Sequence, residues 1–278
     1  MNKIVLVSII IPAYNEESII QNLLISIKKQ SYKNIEVIVI DDASNDRTAD
    51  ISRKYTNKVF VRKHAERSIQ RNFGVKKAKG KYLLFLDADM ELSKNVVEEC
   101  VRILENDGRI GGIVIPEESV AKSFWEKIKA FERSFYNEYG DLNIEAARFF
   151  RKSVFEEVGG YDESITGPED WDLPESIKKM GYKIGRVKSL IYHHERIANP
   201  LVLAGKKYYY GLKAYRYFEK QKVPLISAKT IYFLRPAFYR SWKKIITHPI
   251  LSGAMFLMFL FELIGGGMGF LVGKYTKK

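Results

Sequence analysis

Two acidic pairs in this 278-residue chain have the residue types and the order that metal binding and proton transfer require. Asp87 and Asp89 directly follow the apolar run Tyr82–Leu86, which predicts a buried strand with both carboxylates at its carboxyl end. Open α/β sheets bind ligands beyond the carboxyl ends of their strands, and carboxylate oxygens suit Mg²⁺ or Mn²⁺ holding a diphosphate. Glu169 and Asp170 form the second pair, at the start of a predicted helix. The two pairs together predict a metal-assisted site.

Each acidic pair also has a structural interpretation. An isolated Asp-x-Asp at a strand end is compatible with a solvated turn or a helix cap. Asp170 and Asp172 could likewise complement the dipole at a helix N-terminus. The functional interpretation therefore depends on the elements and motifs around the two pairs.

The first half of the chain alternates strand and helix signals, which is typical of an α/β fold with a mostly parallel central sheet. Apolar runs predict strands at residues 5–11, 35–40, 58–62, 82–86 and 110–115. Helical spacing predicts helices at residues 17–30, 46–55, 66–79 and 95–106, the last one capped by Ser93. In the second half we expect helices at 123–139, 168–180 and 201–222, and short strands at 147–150, 183–187 and 190–193. Pro174 is expected to end or kink the helix that contains it.

Composition and charge narrow the class of protein. Hydrophobic residues make up 46% of the chain and charged residues 28%, which excludes a disordered protein. A single cysteine, Cys100, excludes an internal disulfide and favours a reducing, cytoplasmic compartment. The net charge of +13 suits nucleic acid, anionic lipid or phosphorylated substrates. No nucleic-acid-binding signature is found, so we expect no nucleic-acid partner.

The C-terminal region carries a candidate transmembrane helix. Residues 249–272 contain Glu262 as their only charge and are long enough to cross a bilayer core of about 30 Å. Twelve Leu, Ile, Phe and Val side chains contribute roughly 6 kcal/mol to insertion, against about 3 kcal/mol for the glutamate. Gly265, Gly269 and Gly273 form a small-residue face suited to a homo-oligomer. A buried helix of a soluble core and a membrane hairpin broken at the glycines are the alternatives.

Seven short motifs follow one another along the chain. They are Val7–Glu16, Val37–Ser44, Arg71–Gly74, Ala78–Tyr82, Asp87–Asp89, Val158–Glu163 and Glu169–Leu173. In this order and register they resemble family 2 glycosyltransferases, and the resemblance covers about residues 4–195. The resemblance implies a GT-A type nucleotide-sugar-binding fold in a catalytic domain of residues 1–200. Basic, aromatic amphipathic helices would follow at 201–248, and the transmembrane helix or hairpin at 249–272.

The resemblance also implies a role for each matching residue. The loop after strand one would hold the nucleotide base, Asp42 would read the base edge, and Arg71, or alternatively Arg67, would contact base or phosphate. The nucleotide-sugar-binding candidates are Pro12, Ala13, Tyr14, Glu16, Asp42, Arg71, Asp87 and Ala88. The candidate ligands of Mn²⁺ or Mg²⁺ are Asp89, Asp87 and His194, with His193 as the alternative histidine. The donor would be UDP- or GDP-linked.

Asp170 matches the general base of the family, which removes the proton of the acceptor hydroxyl in a single displacement with inversion. Glu169 and Trp171 are the candidate acceptor contacts. Residues 117–147 match no known pattern, and Pro174–Ser176 replaces an arginine that many members have. The acceptor is therefore expected only to be lipid-linked or another glycan.

Two other functions compete with a membrane-attached transferase. A sugar nucleotidyltransferase has a similar sheet, but the segment after strand one is not its glycine-rich phosphate loop. A non-catalytic nucleotide-sugar-binding subunit is disfavoured by the intact acidic residues. Because nucleotide sugars are cytoplasmic, we expect the catalytic domain on the cytoplasmic face of the cell membrane. The basic residues Arg235, Arg240, Lys243 and Lys244 lie just before residues 249–272, with Tyr239 and Trp242 as interfacial anchors. The basic, tyrosine-rich helix 201–222 would lie along the anionic surface.

Overall fold

The computed structural model describes residues 5–142 and 144–276, and these form two compact units. The first unit contains the chain up to Pro116, residues 146–163 and residues 173–193. The second contains residues 117–145, 164–172 and the chain from His194 onward. The units differ from the predicted division at residue 200, because helix α5 (Phe124–Tyr139) shares an apolar core with the C-terminal helices.

The first unit is built on a seven-stranded sheet in the order β3-β2-β1-β4-β8-β6-β9. Its strands are β1 (Val7–Ala13), β2 (Ile35–Asp41), β3 (Val59–Val61), β4 (Tyr82–Phe85), β6 (Ile110–Val114), β8 (Ala147–Arg151) and β9 (Lys183–Arg186). Strand β8 is antiparallel to both of its neighbours, and the other pairs are parallel. The predicted mostly parallel sheet is confirmed.

Helices cover both faces of this sheet. They are α1 (Ile20–Lys28), α2 (Thr48–Arg53), α3 (Arg67–Lys77), α4 (Val96–Asn106), α6 (Lys152–Glu157) and the greater part of α7 (Glu169–Lys179). Successive β1 side chains point to opposite faces, so Ile9 and Ile11 lie in one apolar core and Ile10 in the other. Burial on both faces explains why the strands read as continuous apolar runs.

Three details of this unit differ from the sequence expectations. Strand β5 (Met90–Leu92), which we did not predict, pairs with β10 (Ile191–His194) in an antiparallel ladder. Ser93 is not the cap of α4: its hydroxyl accepts a hydrogen bond from the Leu190 amide at 3.0 Å, beside this ladder. Helix α7 does not end at Pro174 but continues to Lys179, although the proline has no N–H to donate to the carbonyl of Asp170.

Helix α3 is fixed against the sheet by residues of one sequence motif. Gly74 allows close approach, because a Cβ there would collide with the Ile10 and Ile40 side chains. The amide of Asn72 donates to the Tyr161 carbonyl at 2.8 Å, and its carbonyl oxygen accepts from the Tyr161 amide at 3.1 Å. The Arg71–Gly74 motif therefore holds the turn before Tyr161 against α3.

The second unit is mainly helical. It contains α5, α8 (Pro200–Gln221), α9 (Pro236–Arg240), α10 (Trp242–Thr247), α11 (Pro249–Thr276), the first turn of α7 and the short strand β7 (Glu117–Val120). Ser123 forms a capping box with Glu126 at the start of α5. Phe135 of α5, Phe238 of α9 and Phe259 of α11 meet in one buried core.

Helix α11 has its small-residue face covered within the chain. A Cβ at Gly265, Gly269 or Gly273 would collide with the carbonyl oxygens of successive turns of α8. The expectation that these glycines would pair two copies is therefore corrected, because α8 occupies the face. The helix is continuous from Pro249 to Thr276, which also excludes a hairpin broken at the glycines.

Glu262 of α11 is buried in an ion-pair cluster of the second unit. Its carboxylate lies 3.3 Å from the Lys129 ammonium and 3.4 Å from the Lys207 ammonium. Among the described residues, α11 is the one helix long and apolar enough to cross a membrane, with a mean hydropathy of 2.0. However, 33% of the most apolar 18-residue stretch of α11 is buried against the rest of the chain. The core helix of a soluble protein can have the same length and composition. Length and composition alone therefore fit a core helix as well as a membrane-crossing helix.

We predict that Gly80→Ala destabilises the first unit by about 1–3 kcal/mol, because overpacking at a rigid site displaces its neighbours. The new Cβ would lie 2.6 Å from the Ser8 backbone nitrogen and 2.8 Å from the Leu6 carbonyl oxygen, and neither backbone atom can rotate away. Gly108→Ala is the control, since nothing lies within 4 Å of its Cβ position. Urea unfolding followed by circular dichroism measures both variants. Equal free energies of unfolding would contradict the described packing of β1.

Candidate active site

The loops that follow β1 and β2 are hydrogen-bonded to each other at the carboxyl edge of the sheet. Asn15 adopts a left-handed conformation with φ 54°, and its backbone amide donates to the Ser44 hydroxyl at 2.9 Å. Its side-chain oxygen accepts from the Asn45 amide at 2.8 Å. The Glu16 amide donates to Thr48 Oγ1 at 2.7 Å. The predicted site residues Tyr14 and Glu16 thus lie on a tightly held loop, and Pro12 and Ala13 end the strand before it.

Asp42 is buried at the end of β2 and has several donors. Its Oδ1 accepts hydrogen bonds from the Ala65 amide, at 2.9 Å, and from the Gln70 side-chain amide. Its Oδ2 lies 2.8 Å from Nδ1 of His64, whose ring packs 4.9 Å from that of Tyr14. The structure therefore brings the predicted residues Tyr14 and Asp42 together through a histidine that the sequence analysis did not select.

Asp87, after β4, lies between two buried arginines. Its Oδ1 accepts from Arg71 of α3 at 2.8 Å, and its Oδ2 lies 3.4 Å from Arg148 of β8. Burial alone would raise the pKa of Asp87, but the Arg71 and Arg148 guanidiniums, with smaller effects of Arg67 and His193, hold this pKa well below its usual range. The carboxylate therefore stabilises the fold above about pH 4, and this contribution is lost as the pH falls towards its lowered pKa.

These contacts correct the role expected for Arg71. Its side chain is completely buried and donates to Asp87, with Tyr161 5.2 Å from its guanidinium, so a base or phosphate has no access to it. Arg67, the alternative, begins α3 and is only half-buried. We also find that both oxygens of Asp87 face arginines, which makes it a weaker metal-ligand candidate than Asp89.

Asp89 has a histidine beside it, and this histidine is His193. The Nε2 atom of His193 lies 3.5 Å from Asp89 Oδ1. Adjacent strand residues point to opposite faces, and His193 pairs with Met90 in the β5–β10 ladder. Of the two candidate histidines, His193 is therefore the one with a contact to Asp89 in this unit, and His194 groups with the second unit.

The residues around Asp89 fit a metal ion whose coordination is completed by the bound substrate and water. Within the described ranges, no three His, Cys, Asp or Glu side chains cluster closely enough to hold an ion by themselves. Mg²⁺ is usually bound through one or two carboxylates plus substrate phosphates and water, and Mn²⁺ favours the same oxygen ligands. Asp89 and His193 therefore supply a partial ligand set of the kind expected for a diphosphate-bound ion.

In the second unit, the first turn of α7 presents three carboxylates of different exposure. Glu169 and Asp172 are each 2% exposed, whereas Asp170 is half-buried. Asp172 accepts from Lys220 at 2.8 Å and from Gln221 at 2.6 Å, which joins α7 to α8. Asp170 is therefore the acid of this turn that a substrate can reach. The burial of Glu169 corrects its assignment as an acceptor contact.

Trp171 is largely engaged within the second unit. Its indole N–H donates to the Ile144 carbonyl at 2.9 Å, and its ring packs 6.3 Å from Tyr217. Lys229 lies 6.0 Å from the indole ring and donates to the Tyr217 hydroxyl at 2.8 Å. Burial lowers the pKa of Lys229 to about 8, although Asp141 opposes this shift. These contacts make Trp171 a packing residue of the second unit.

The first unit is thus an α/β fold with a mostly parallel sheet and carboxylates at the ends of its strands, as the sequence predicts. The chain belongs to glycosyl transferase family 2, because the model of that family matches residues 8–159, more than half of the chain.

Two relatives show how far the similarity extends. An uncharacterised glycosyltransferase of Rickettsia typhi is 30% identical over 203 residues, which cover 68% of this chain and 62% of the relative. The poly(ribitol-phosphate) β-N-acetylglucosaminyltransferase TarS of Staphylococcus aureus is 25% identical over 223 residues, 74% of this chain and 35% of TarS. The chain thus spans less than two thirds of the length of these relatives.

Solved structures share the fold. The mannosyltransferase PcManGT from Pyrobaculum calidifontis, in complex with GDP-Man and Mn²⁺, has a TM-score of 0.60 at 19% identity and covers 99% of this chain and 76% of its own. TarS from S. aureus in complex with UDP has a TM-score of 0.55 at 16% identity, covering 98% and 91%. Both likenesses confirm the GT-A fold.

We predict that Asp87→Asn lowers the free energy of unfolding by about 3 kcal/mol, because it leaves two buried guanidiniums without their counter-charge. We choose the low end of the range for a broken buried pair because 20% of the Asp87 side chain is exposed. Asp89→Asn is the matched control and should change the unfolding free energy little. Urea denaturation at pH 7 compares the two variants. A more damaging substitution at Asp89 would show that Asp87 is not the charge on which the site is built.

Proposed function

We propose that this chain is an inverting glycosyltransferase that moves a sugar from a UDP- or GDP-linked donor to a lipid-linked or glycan acceptor. The observation that carries the proposal is the acidic group at the carboxyl ends of β2 and β4, where Asp42, Asp87 and Asp89 lie in one unit. Ligands bind at this edge in open α/β sheets. Family membership supports sugar transfer, and neighbours of the same fold are complexes with UDP or GDP-Man.

The donor base is proposed to bind where Tyr14, Asp42 and His64 meet. The Oδ1 atom of Asp42 is held by the Ala65 and Gln70 amides. Within the described chain, its Oδ2 atom contacts the largely exposed His64. An ionised carboxylate accepts hydrogen bonds, and both uracil and guanine present a ring N–H donor. The half-exposed Tyr14 ring offers a stacking surface beside it. Displacement of the His64 ring would open this position.

The diphosphate is proposed to bind beside Asp89 with Mn²⁺ or Mg²⁺, and His193 completes the protein ligands. When bound, the ion would neutralise the charge that develops on the departing nucleoside diphosphate. Arg71 and Arg148 hold Asp87 as an ionised carboxylate, and through it they position the chain that leads to Asp89. Arg67, at the start of α3, is the proposed cationic contact with phosphate.

Asp170 is proposed as the general base. Its carboxylate accepts the proton of the acceptor hydroxyl while that oxygen forms a bond to the anomeric carbon. The bond from that carbon to the diphosphate oxygen breaks, and the nucleoside diphosphate leaves with the electron pair. One displacement inverts the anomeric configuration. Support comes from its place in the Glu169–Leu173 motif and from its exposure beside two buried acids.

The transferase is proposed to act at the cytoplasmic face of a membrane. Nucleotide sugars are cytoplasmic compounds, and a lipid-linked acceptor is held in a bilayer. The apolar helix α11 supports an attachment of the second unit to that bilayer.

We predict that Asp170→Asn lowers transfer by roughly 10²-fold or more while nucleotide affinity stays within a few-fold, because a base acts on the rate of the chemical step. The assay measures release of nucleoside diphosphate from the sugar nucleotide that binds best, with a membrane lipid extract as acceptor. Glu175→Gln, an acid-to-amide change on the same helix, is the control and should remain active. Near wild-type turnover of the Asp170 variant would exclude it as the base.

We predict that chelation abolishes transfer and that Mn²⁺ or Mg²⁺ restores it. Asp89→Ala should remove the gain in UDP or GDP affinity that metal gives, and it should leave the weaker affinity without metal unchanged. Isothermal titration of both nucleotides with and without Mn²⁺ tests this. Full transfer in excess chelator, or an unchanged metal effect in the variant, would refute the proposed ion site.

A further inference from the structure

Helix α11 has two opposite apolar faces, and only one of them is covered. Its buried positions recur every three or four residues, at Ser252, Met255, Met258, Phe259, Glu262, Gly265, Gly269 and Gly273. Large exposed side chains recur at the same spacing on the other side, and we call them the outer stripe: Ile250, Leu257, Leu260, Ile264, Met268, Leu271 and Tyr275. The outer stripe runs about 38 Å along the helix. An exposed apolar surface of this extent marks an interaction site.

The covered face ties α11 to charged protein. The three close-contact glycines lie against backbone carbonyls of α8, a helix of 22 residues with six charged side chains. Glu262, fully buried, is paired with Lys129 of α5 and Lys207 of α8. A crossing by α11 would therefore either draw these charged helices into hydrocarbon or break the buried ion pairs. Both outcomes are strongly unfavourable.

The charges at the ends of α11 have the same sign. Arg240 and Lys243 are exposed just before the helix, and Lys274 is exposed in its last turn. Exposed aromatic rings accompany them, Trp242 at the start and Tyr275 at the end. Glu262 is the one acid in residues 223–278, and it is buried. The free charge beside the outer stripe is thus positive at both ends, which fits two helix ends on the same side of a membrane.

We propose that α11 lies in the plane of an anionic cytoplasmic leaflet, with the outer stripe in the headgroup–acyl boundary, and that it does not cross the bilayer. The basic residues at its two ends meet anionic headgroups, and the rings of Trp242 and Tyr275 lie at the interface. The choice of the cytoplasmic leaflet rests on the proposed function. A second copy of the chain is the less favourable occupant, because facing stripes would bring like charges together at both ends.

Vesicle flotation of the full chain tests the partner. We expect recovery with phosphatidylcholine–phosphatidylglycerol vesicles and much less recovery with phosphatidylcholine alone. The double variant Ile264→Gln/Met268→Gln should reduce the partition coefficient by about tenfold or more. Its matched control is Val61→Gln/Met180→Gln in the first unit, since the four side chains are similarly exposed, at 52% and 56% against 56% and 47%. The control should float like the wild type.

Cysteine labelling tests the topology. Thr247→Cys and Thr276→Cys place single exposed thiols near the two ends of α11, while the native Cys100 is buried. With a membrane-impermeant maleimide, we expect both thiols to react in inverted membrane vesicles and neither to react in intact spheroplasts.

Labelling of the two thiols from opposite sides would overturn the in-plane arrangement and show a crossing. Equal flotation with neutral vesicles would overturn the anionic leaflet, and a dimer that binds no vesicle would assign the stripe to a second copy. Thermal stabilisation by UDP or GDP with Mn²⁺, measured on the same samples, reports on the proposed donor site separately. Failure of nucleotide binding alone would therefore leave the membrane inference standing.

Discussion

The arrangement of Asp87 between Arg71 and Arg148 is the contact on which the rest of the proposed donor site depends. It joins the end of β4 to α3 and to β8, three elements that are distant in sequence. Each guanidinium is buried and is matched by one carboxylate oxygen, so the charges are costly to separate. Asp89 follows two residues later, so the contacts that hold Asp87 also fix the backbone that leads to Asp89. The neutralised Asp87 thus supports the turn, and Asp89 is the residue for which we propose the ligand role.

Neighbouring acidic residues have different contacts at two further places in the chain. At the end of β2, Asp41 accepts from the Ser44 amide of the following loop at 3.2 Å, while Asp42 contacts His64. In the first turn of α7, Asp172 binds α8 and Asp170 stays accessible. Adjacent residues on a strand or helix point in different directions, so one acid can support the fold while its neighbour serves the ligand. Acidic pairs therefore mark this site better than single acids do.

The sequence predicted the parallel sheet well, because strands buried on both faces leave long apolar runs such as Ile9–Ile11. It missed β5 and β7, which are only three and four residues long. It could not identify contacts that depend on residues distant in sequence. The sequence does not show whether Arg71 and Arg148 are buried or exposed. Only the fold brings both of them to Asp87. His193 and His194 are adjacent, and only the register of β10 with β5 selects one of them.

The spacing of the glycines in α11 predicted close packing against another helix, but it did not show that this helix is α8 of the same chain. A helix that packs one apolar face on protein and exposes another has the composition of a lipid-surrounded segment. The informative residue is Glu262. The sequence estimate treats its free-energy cost of insertion into a bilayer as that of an unpaired carboxylate. In the folded chain its carboxylate is balanced by Lys129 and Lys207, more than fifty residues away in sequence. A single acid in an apolar helix therefore indicates a partner elsewhere in the fold, and that partner decides where the helix can lie.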